Sequence, residues 1–550
     1  MQSPLNFALF PGGGSWYNAP RKPSGGSELK PYLISRFTGA ARQSAGGPRE
    51  TLRLCAVSTL VFGLLCHGAR WLNPAFSGDA TLVSQAGEET YQISLGRFLQ
   101  PVWWRVRGTI TAPFLIGLFC LLFLALSGFL AARILRIGSR GGVILTCGIL
   151  TASETLGLSN ATYLPWSDVY MLSLLLALSG AYLSLGGAGF RRHLAPLCYA
   201  ALLGLYQSYL PCAAAIVVVA LLAETVRGEE IAGIWRRGAL AVLHLFCGLL
   251  LYALALGLLL RLLGISASPD YNGVGRVSLL SLPDLLRYTA EAWLLPLRFL
   301  FNPADRTLIP WHVSQIPQAL NLAALLLSLL CLPAARKRGA GALLTCAFLL
   351  LVLPLASNFV MIISQGVVNG LMMYAWYFLF LLPLALAEGR GAGGRADSAL
   401  RGCACLCLAG TIFVNIVSCN AMYVKRDLEY AATHSAMTRI LSRMEETDGY
   451  IPGETPVVIA GVLPSSQIAM ARPGMAEISR VQGMRYTYGA SYETSAYWYF
   501  SSILGAKLNL VPHDARTKLI KETKIVGEMP RFPEEGCAAM IGGRLFLRLN

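Results

Sequence analysis

Charge is scarce in this chain of 550 residues: Asp, Glu, Lys and Arg make up 13% of it, against about 25% in an ordinary soluble protein. That shortage excludes a water-soluble globular enzyme. There is no GxxxxGK[ST] loop, which excludes ATP hydrolysis by a P-loop. The first fifty residues hold no apolar stretch, so no cleaved leader is expected at the start. The 14 cysteines sit mostly inside apolar runs, so no disulfide framework is expected. Cys419 and Cys537 are the one pair placed to join outside a membrane. The six histidines are scattered without ligand spacing. Cys403, Cys405 and Cys407 step by two along an apolar helix onto different faces, so no metal site is expected. Gly389, Gly391 and Gly394 spell GxGxxG, but no strand precedes them, which removes the dinucleotide reading.

What is present is apolar sequence, 55% of the chain. Runs near the ~20 residues of a spanning helix recur from Leu54 to about Val417. The expected fold is a polytopic α-helical membrane protein of roughly eleven segments, with a small C-terminal extracytoplasmic α/β domain. Residues 1–50 read as a disordered basic cytoplasmic arm, 51–418 as the transmembrane domain and 419–550 as the outer domain. The net charge of +16 lies in short basic loops, so membrane orientation explains it and no nucleic-acid partner is expected. Arg133, Arg136 and Arg140, Arg191 to His193, Arg227 with Arg236 and Arg237, Arg336 to Arg338, and Arg390, Arg395 and Arg401 all face the cytoplasm if the amino end is inside. The chain then sits in the plasma membrane, multi-pass, with its carboxyl domain outside.

Leu194–Arg227 has basic flanks on both sides, so it enters and returns. Each arm is ~13–16 residues, or ~20–24 Å, against a hydrocarbon core of ~30 Å. The turn at Tyr206-Gln207-Ser208 then lies below the outer surface, where polar backbone needs a cavity or a protein wall. An outward-facing cavity floored by Tyr206 and Gln207 is expected, in contact with substrate.

Several charged residues admit two readings. Asp79, after Ser77-Gly78, is either a helix cap or a carboxylate held above the membrane as a general base. Glu88 and Glu89 read first as a solvated helix face. Arg97, after Gly96, either meets lipid headgroups or holds a donor phosphate. Trp103 and Trp104 read as interfacial anchors. Glu154 lies inside an apolar run, where an acid costs roughly 2.5–3.5 kcal/mol and needs a cavity, a partner or a proton. Asp168 opens a span, as a cap or as a site residue. Asp284–Phe301, carrying Arg287, Glu291 and Arg298, reads as an amphipathic helix on the outer leaflet. Pro456–Val462 reads as a buried strand, Asp427–Glu446 as a helix, and Tyr486–Phe500 as a Tyr- and Ser-rich stretch.

Taken in order, several motifs resemble the bacterial type-II serotype-converting glucosyltransferase family of the membrane GT-C superfamily, and its longer Gram-positive-type members above all. They are Asp79 followed by Gly96-Arg97, Asp168-Val-Tyr170, Leu205-Tyr206-Gln207-Ser-Tyr209, Asn358 through Tyr374, Asn420-Ala-Met-Tyr423, Met437-Thr-Arg439-Ile, and Gly449-Tyr450 to Val457. The likeness covers about Leu54 to Leu510. It implies a hexosyltransferase that moves a sugar, usually glucose, from a polyprenyl-phosphate carrier to an extracytoplasmic cell-surface glycan. It also implies a catalytic acid in the first outward loop, where Asp79 stands; Glu88 and Glu89 follow further on, and which of them answers to the family's second acid is left open. With the residue readings, this gives an inverting displacement. Asp79 deprotonates the acceptor, Arg97 and Arg298 face the phosphate, and Glu154, Asp168, Tyr206 and Gln207 bind the sugar. No cofactor is assigned from the sequence, and a divalent cation stays open as an alternative. A transporter or flippase of lipid-linked sugar is the competing reading, and a non-catalytic scaffold the third.

Overall fold

The computed structural model describes residues 44–73, 83–186, 189–268, 281–301, 315–336, 338–390, 394–461 and 499–549. Asp79 and most of Tyr486–Phe500 lie outside these residues.

The apolar runs form helices, several of which begin at Pro or a polar cap. The principal helices are α1 (Pro48–Leu72), the short α2 (Glu89–Ser94), α3 (Leu99–Arg107), α4 (Pro113–Leu135), α5 (Arg140–Thr151), α6 (Glu154–Thr162) and α7 (Ser167–Gly186). Then come α8 (Ala195–Leu205), α9 (Leu210–Arg227), α10 (Ile231–Leu263), α11 (Leu282–Phe301), α12 (Gln315–Cys331), α13 (Ala340–Asn358), α14 (Tyr377–Gly389) and α15 (Arg395–Glu445). Local chemistry sets several of these ends. Pro113 occupies the first position of α4, where its missing N–H costs nothing. Ser139 caps α5 by accepting from the Gly142 N–H, and Ser153 caps α6 by accepting from the Leu156 N–H. That second cap breaks one long apolar segment into α5 and α6.

Nine helices among the described residues are long and apolar enough to cross a membrane, and Tyr374–Gly389 is a shorter apolar one. The number differs from the eleven expected for two reasons. The two arms of the 189–227 segment count as one, and the segment at Tyr374 is short. Asp284–Phe301 falls within α11 and is amphipathic, with Ala292, Pro296 and Phe299 buried.

The 189–227 segment does reverse. Trp103 packs on Phe119 and Phe123 in the first half of α4 and bonds Asp168 in the first turn of α7, so these two helices start at the same end of the bundle. Near its own start α8 meets the last turn of α7, where the Tyr199 hydroxyl lies 3.4 Å from Ser184 Oγ. It finishes against the first turn of α7, with the Tyr206 and Tyr170 rings 4.4 Å apart. From there α9 descends until Arg227 donates to the Leu135 carbonyl at the end of α4. The arms are unequal, 11 and 18 residues, or about 16 and 27 Å. The shorter arm is closed by Tyr206, whose extended backbone ends α8.

Arg227, Arg136 and Arg237 therefore mark one end of the bundle. There Glu224 pairs with Arg237 at 2.8 Å and Arg136 with Glu229 at 2.7 Å. The adjoining guanidinium of Arg136 holds the Glu229 carboxyl below its ordinary range. The other end carries the turn at residues 206–208.

α15, 51 residues long, runs through 418 without a break. Glu388, just before it, accepts from Ser139 at the basic end, while Asp427 within it accepts from Asn73 at the other end. Beyond lies a separate unit. Its four-stranded sheet has the order β2 (Asn509–Leu510), β1 (Pro456–Ala460), β4 (Arg544–Arg548), β3 (Ala538–Ile541). β1 is parallel to both neighbours, and β3 and β4 form a hairpin through Gly542 and Gly543, both with positive φ. Alternation along β1 fills two layers. Val457 and Ile459 join Met437, Ile440 and Met444 of α15. Val458 and Ala460 join Val526 and Phe546, flanked by Leu519 of α16 (His513–Glu522).

The expected link between Cys419 and Cys537 does not form: both thiols are free and buried. Because α15 continues, Cys419 is held inside the bundle beside Ser153, while Cys537 belongs to the core of the sheet unit.

Candidate functional site

A cavity of about 680 Å³ opens at the end of the bundle that carries the 206–208 turn. Its floor and walls come from α2 and the loop after it, the turn between α8 and α9, the start of α7, the middle of α10 and the segment 359–372.

Gly96 is the hinge of the site. It ends α2 with φ +80°, and a Cβ there would lie 2.2 Å from the Tyr252 hydroxyl and 2.9 Å from Gln207 Nε2. Only glycine serves both the left-handed backbone and this close approach. The space is used for hydrogen bonds. Gln207 Nε2 donates to the Leu95 carbonyl and to the Tyr252 hydroxyl, each at 3.0 Å. The Tyr252 hydroxyl donates to the Gly96 carbonyl at 3.2 Å. Three distant parts of the chain are thus tied at one point, and Arg97 is presented from it. Its guanidinium sits 5.1 Å from the centre of the Tyr206 ring and donates to Gln92 at 3.5 Å.

Arg97, Tyr206 and Gln207, three residues singled out from the sequence, all line this cavity, with Tyr170 beside them. Glu88 also lines it and is the sole carboxylate among the described lining residues. Burial and the neighbouring Glu89 push its carboxyl above the ordinary range. The sequence reading had Glu88 as a solvated face. It carried no periodic signal to say otherwise, because it lies at the start of a helix of six residues. Tyr252 is a further lining residue that no pattern marked, and Asn369, also on the lining, belongs to the Asn358–Tyr374 stretch. Aromatic walls with a few convergent polar groups suit a small polar ligand with apolar faces.

Other expected site residues lie elsewhere. Asp168 is fully buried and does not line the cavity. It accepts from Trp103 Nε1 at 2.8 Å and pairs with Arg107 at 3.3 Å, both side chains being out of solvent. Arg107 also donates to Gln85 at 2.8 Å and to the Pro165 carbonyl. The carboxylate is thus used to fasten α3 to α7, and Trp103 takes part in that joint. Glu154 is completely buried at the start of α6, away from the cavity lining; its N–H donates to the Tyr377 hydroxyl. Arg298 is exposed on α11 and not part of the lining. Asp79 falls in the span from 74 to 82, outside the described residues. Among the described residues, the one set of side chains able to share a metal ion lies away from this cavity, at Cys66, His67 and Cys419.

No curated protein and no solved structure matches the chain. The family described as Glucosyl transferase GtrII matches residues 71–384, more than half of the chain and every segment that builds the cavity. The chain belongs to this glucosyltransferase family.

Proposed function

We propose that the cavity transfers glucose from a polyprenyl-phosphate carrier to an extracytoplasmic cell-surface glycan, with inversion at the anomeric carbon. The observation that carries this reading is Arg97, fixed by the Gly96 hinge on the wall of a cavity of hexose-accommodating size. A lipid-phosphate donor needs a cation at the departing phosphate, and a guanidinium meets two phosphate oxygens at once. The basic end of the bundle, with Arg136, Arg227 and Arg237, faces the cytoplasm by the positive-inside rule. The cavity and the sheet unit then face outward from the plasma membrane, where an acceptor glycan is found.

In the reaction an acceptor hydroxyl attacks the anomeric carbon as its proton passes to a carboxylate. The bond from that carbon to the phosphate oxygen breaks, and its electron pair stays on the phosphate. Arg97 stabilises that charge as it develops. Asp79 is the base implied by the family resemblance; Glu88 is the second acid, already on the wall. Tyr206 and Gln207 hold sugar hydroxyls. Asp168 acts from behind by holding α3.

The test uses full-length protein in vesicles, radiolabelled polyprenyl-phosphoglucose and cell-wall glycan. New glycosidic bonds are expected, and Arg97→Ala lowers their rate by about 10²–10³. Asp79→Asn abolishes transfer if Asp79 is the base; full activity in that variant with loss in Glu88→Gln moves the role to Glu88. Movement of the sugar-lipid across the membrane with no new bond would replace the transferase reading by transport.

A further inference from the structure

We propose that Cys66, His67 and Cys419 form a zinc site that clamps α1 to α15 inside the helix bundle. The three residues come from two helices far apart in the sequence, and their ligand atoms all lie within 4.8 Å of one another. All are buried, with exposures of 1%, 0% and 0%. Zinc bonds of ~2.0–2.3 Å place neighbouring tetrahedral ligands roughly 3.3–3.8 Å apart, so small side-chain rotations close the set.

The histidine is oriented for the task. Its Nε2 is 2.9 Å from the Thr151 carbonyl. A carbonyl only accepts, so Nε2 carries the proton and Nδ1 the lone pair. That lone pair now accepts from the Tyr423 hydroxyl at 2.6 Å. One nitrogen donating to a carbonyl while the other offers its lone pair is the arrangement that fixes a ligand imidazole. Zinc would take the lone pair in place of the Tyr423 hydroxyl.

Charge also balances. Binding of Zn²⁺ by two thiols forms two zinc–sulfur bonds and releases two protons, leaving the metal and both thiolates neutral together. The neutral imidazole adds nothing. Glu154, at the head of α6, is close enough to act electrostatically on both thiols. Soft thiolates with an imidazole select zinc over the oxygen-seeking cations. Cys55 and Cys147 form another thiol contact in the bundle but no histidine or acid joins them in a ligand set. The consequence is mechanical: α15 carries the sheet unit, and the ion would hold its midpoint against the helix that leads into the 74–82 segment.

The test is a Co²⁺ titration of reduced, metal-stripped full-length protein in detergent. One Co²⁺ per chain is expected, with a thiolate-to-cobalt charge-transfer band and tetrahedral visible bands that Zn²⁺ erases. Cys66→Ser and Cys419→Ser each weaken uptake by at least about tenfold, while a Cys55→Ser/Cys147→Ser protein titrates like the wild type. Absence of the charge-transfer band in the wild type overturns the proposal, whether or not the variants fold. Bands that persist in both single variants, or vanish in the control, overturn it as well.

Discussion

Gly96 shows how much one residue can decide here. Its φ is positive, and Tyr252 and Gln207 leave no room for a Cβ. Gly96→Ala is expected to cost about 1–3 kcal/mol of local strain and to displace Arg97, lowering transfer sharply. Adding Tyr252→Phe removes the nearest clash and restores part of the rate, which initial-rate assays of the two proteins would show. Glu88 makes a pH prediction. Its folded-state pKa is raised, so the folded chain binds this proton more tightly than the unfolded chain does. At acidic pH both states hold the proton and nothing is lost. As pH rises through the folded-state value, the full penalty of a partly buried charge is present. Glu88→Gln should therefore unfold later than wild type at neutral pH and equally in acid, as melting curves across pH would show. If Glu88 also takes the acceptor's proton, the wild-type rate falls in acid as this carboxyl is protonated, and Glu88→Gln loses transfer at every pH.

At the scale of elements, the joint between α3 and α7 is an ion pair with no solvent to soften it. Asp168→Ala leaves Arg107 buried with its counter-charge gone, an expected cost of about 3–5 kcal/mol. Replacing both partners together, as Asp168→Leu with Arg107→Met, should recover most of that stability, because the penalty lies in the orphaned charge. Thermal unfolding of the three proteins in one detergent checks this; equal loss in single and double variants would refute it. By contrast, the Arg136–Glu229 pair is half in solvent. Arg136→Ala should cost at most about 1 kcal/mol from that contact. Its effect fades in acid, since Glu229 is held below its ordinary range and the pair is lost as pH falls through that value.

For the whole molecule, the two sets of buried side chains are distinct. The bundle core ends at Tyr423 in α15, and the sheet-unit core begins at Ala436 in the same helix. A chain ending after Glu445 should still assemble its bundle and elute as a single species in detergent. Aggregation of that truncated chain would show that the sheet unit supports the bundle. If the sheet unit presents the acceptor, the same chain keeps donor binding and loses transfer to the glycan.

The sequence by itself determined the helices and the reversal near Tyr206. Insertion into a bilayer is judged segment by segment, from apolar length and flanking basic charge, and both are local quantities. It also marked Arg97 and Gln207 through their places beside Gly96 and in the short turn. Only the tertiary structure decided which charges face the cavity and which fasten helices. Glu88 was moved onto the wall and Asp168 behind it, because the partners that settle these roles, Arg107 and the residues of α10, come from other helices. The meeting of Cys66 and His67 with Cys419 is of the same kind, since no spacing along a chain announces neighbours that packing alone creates.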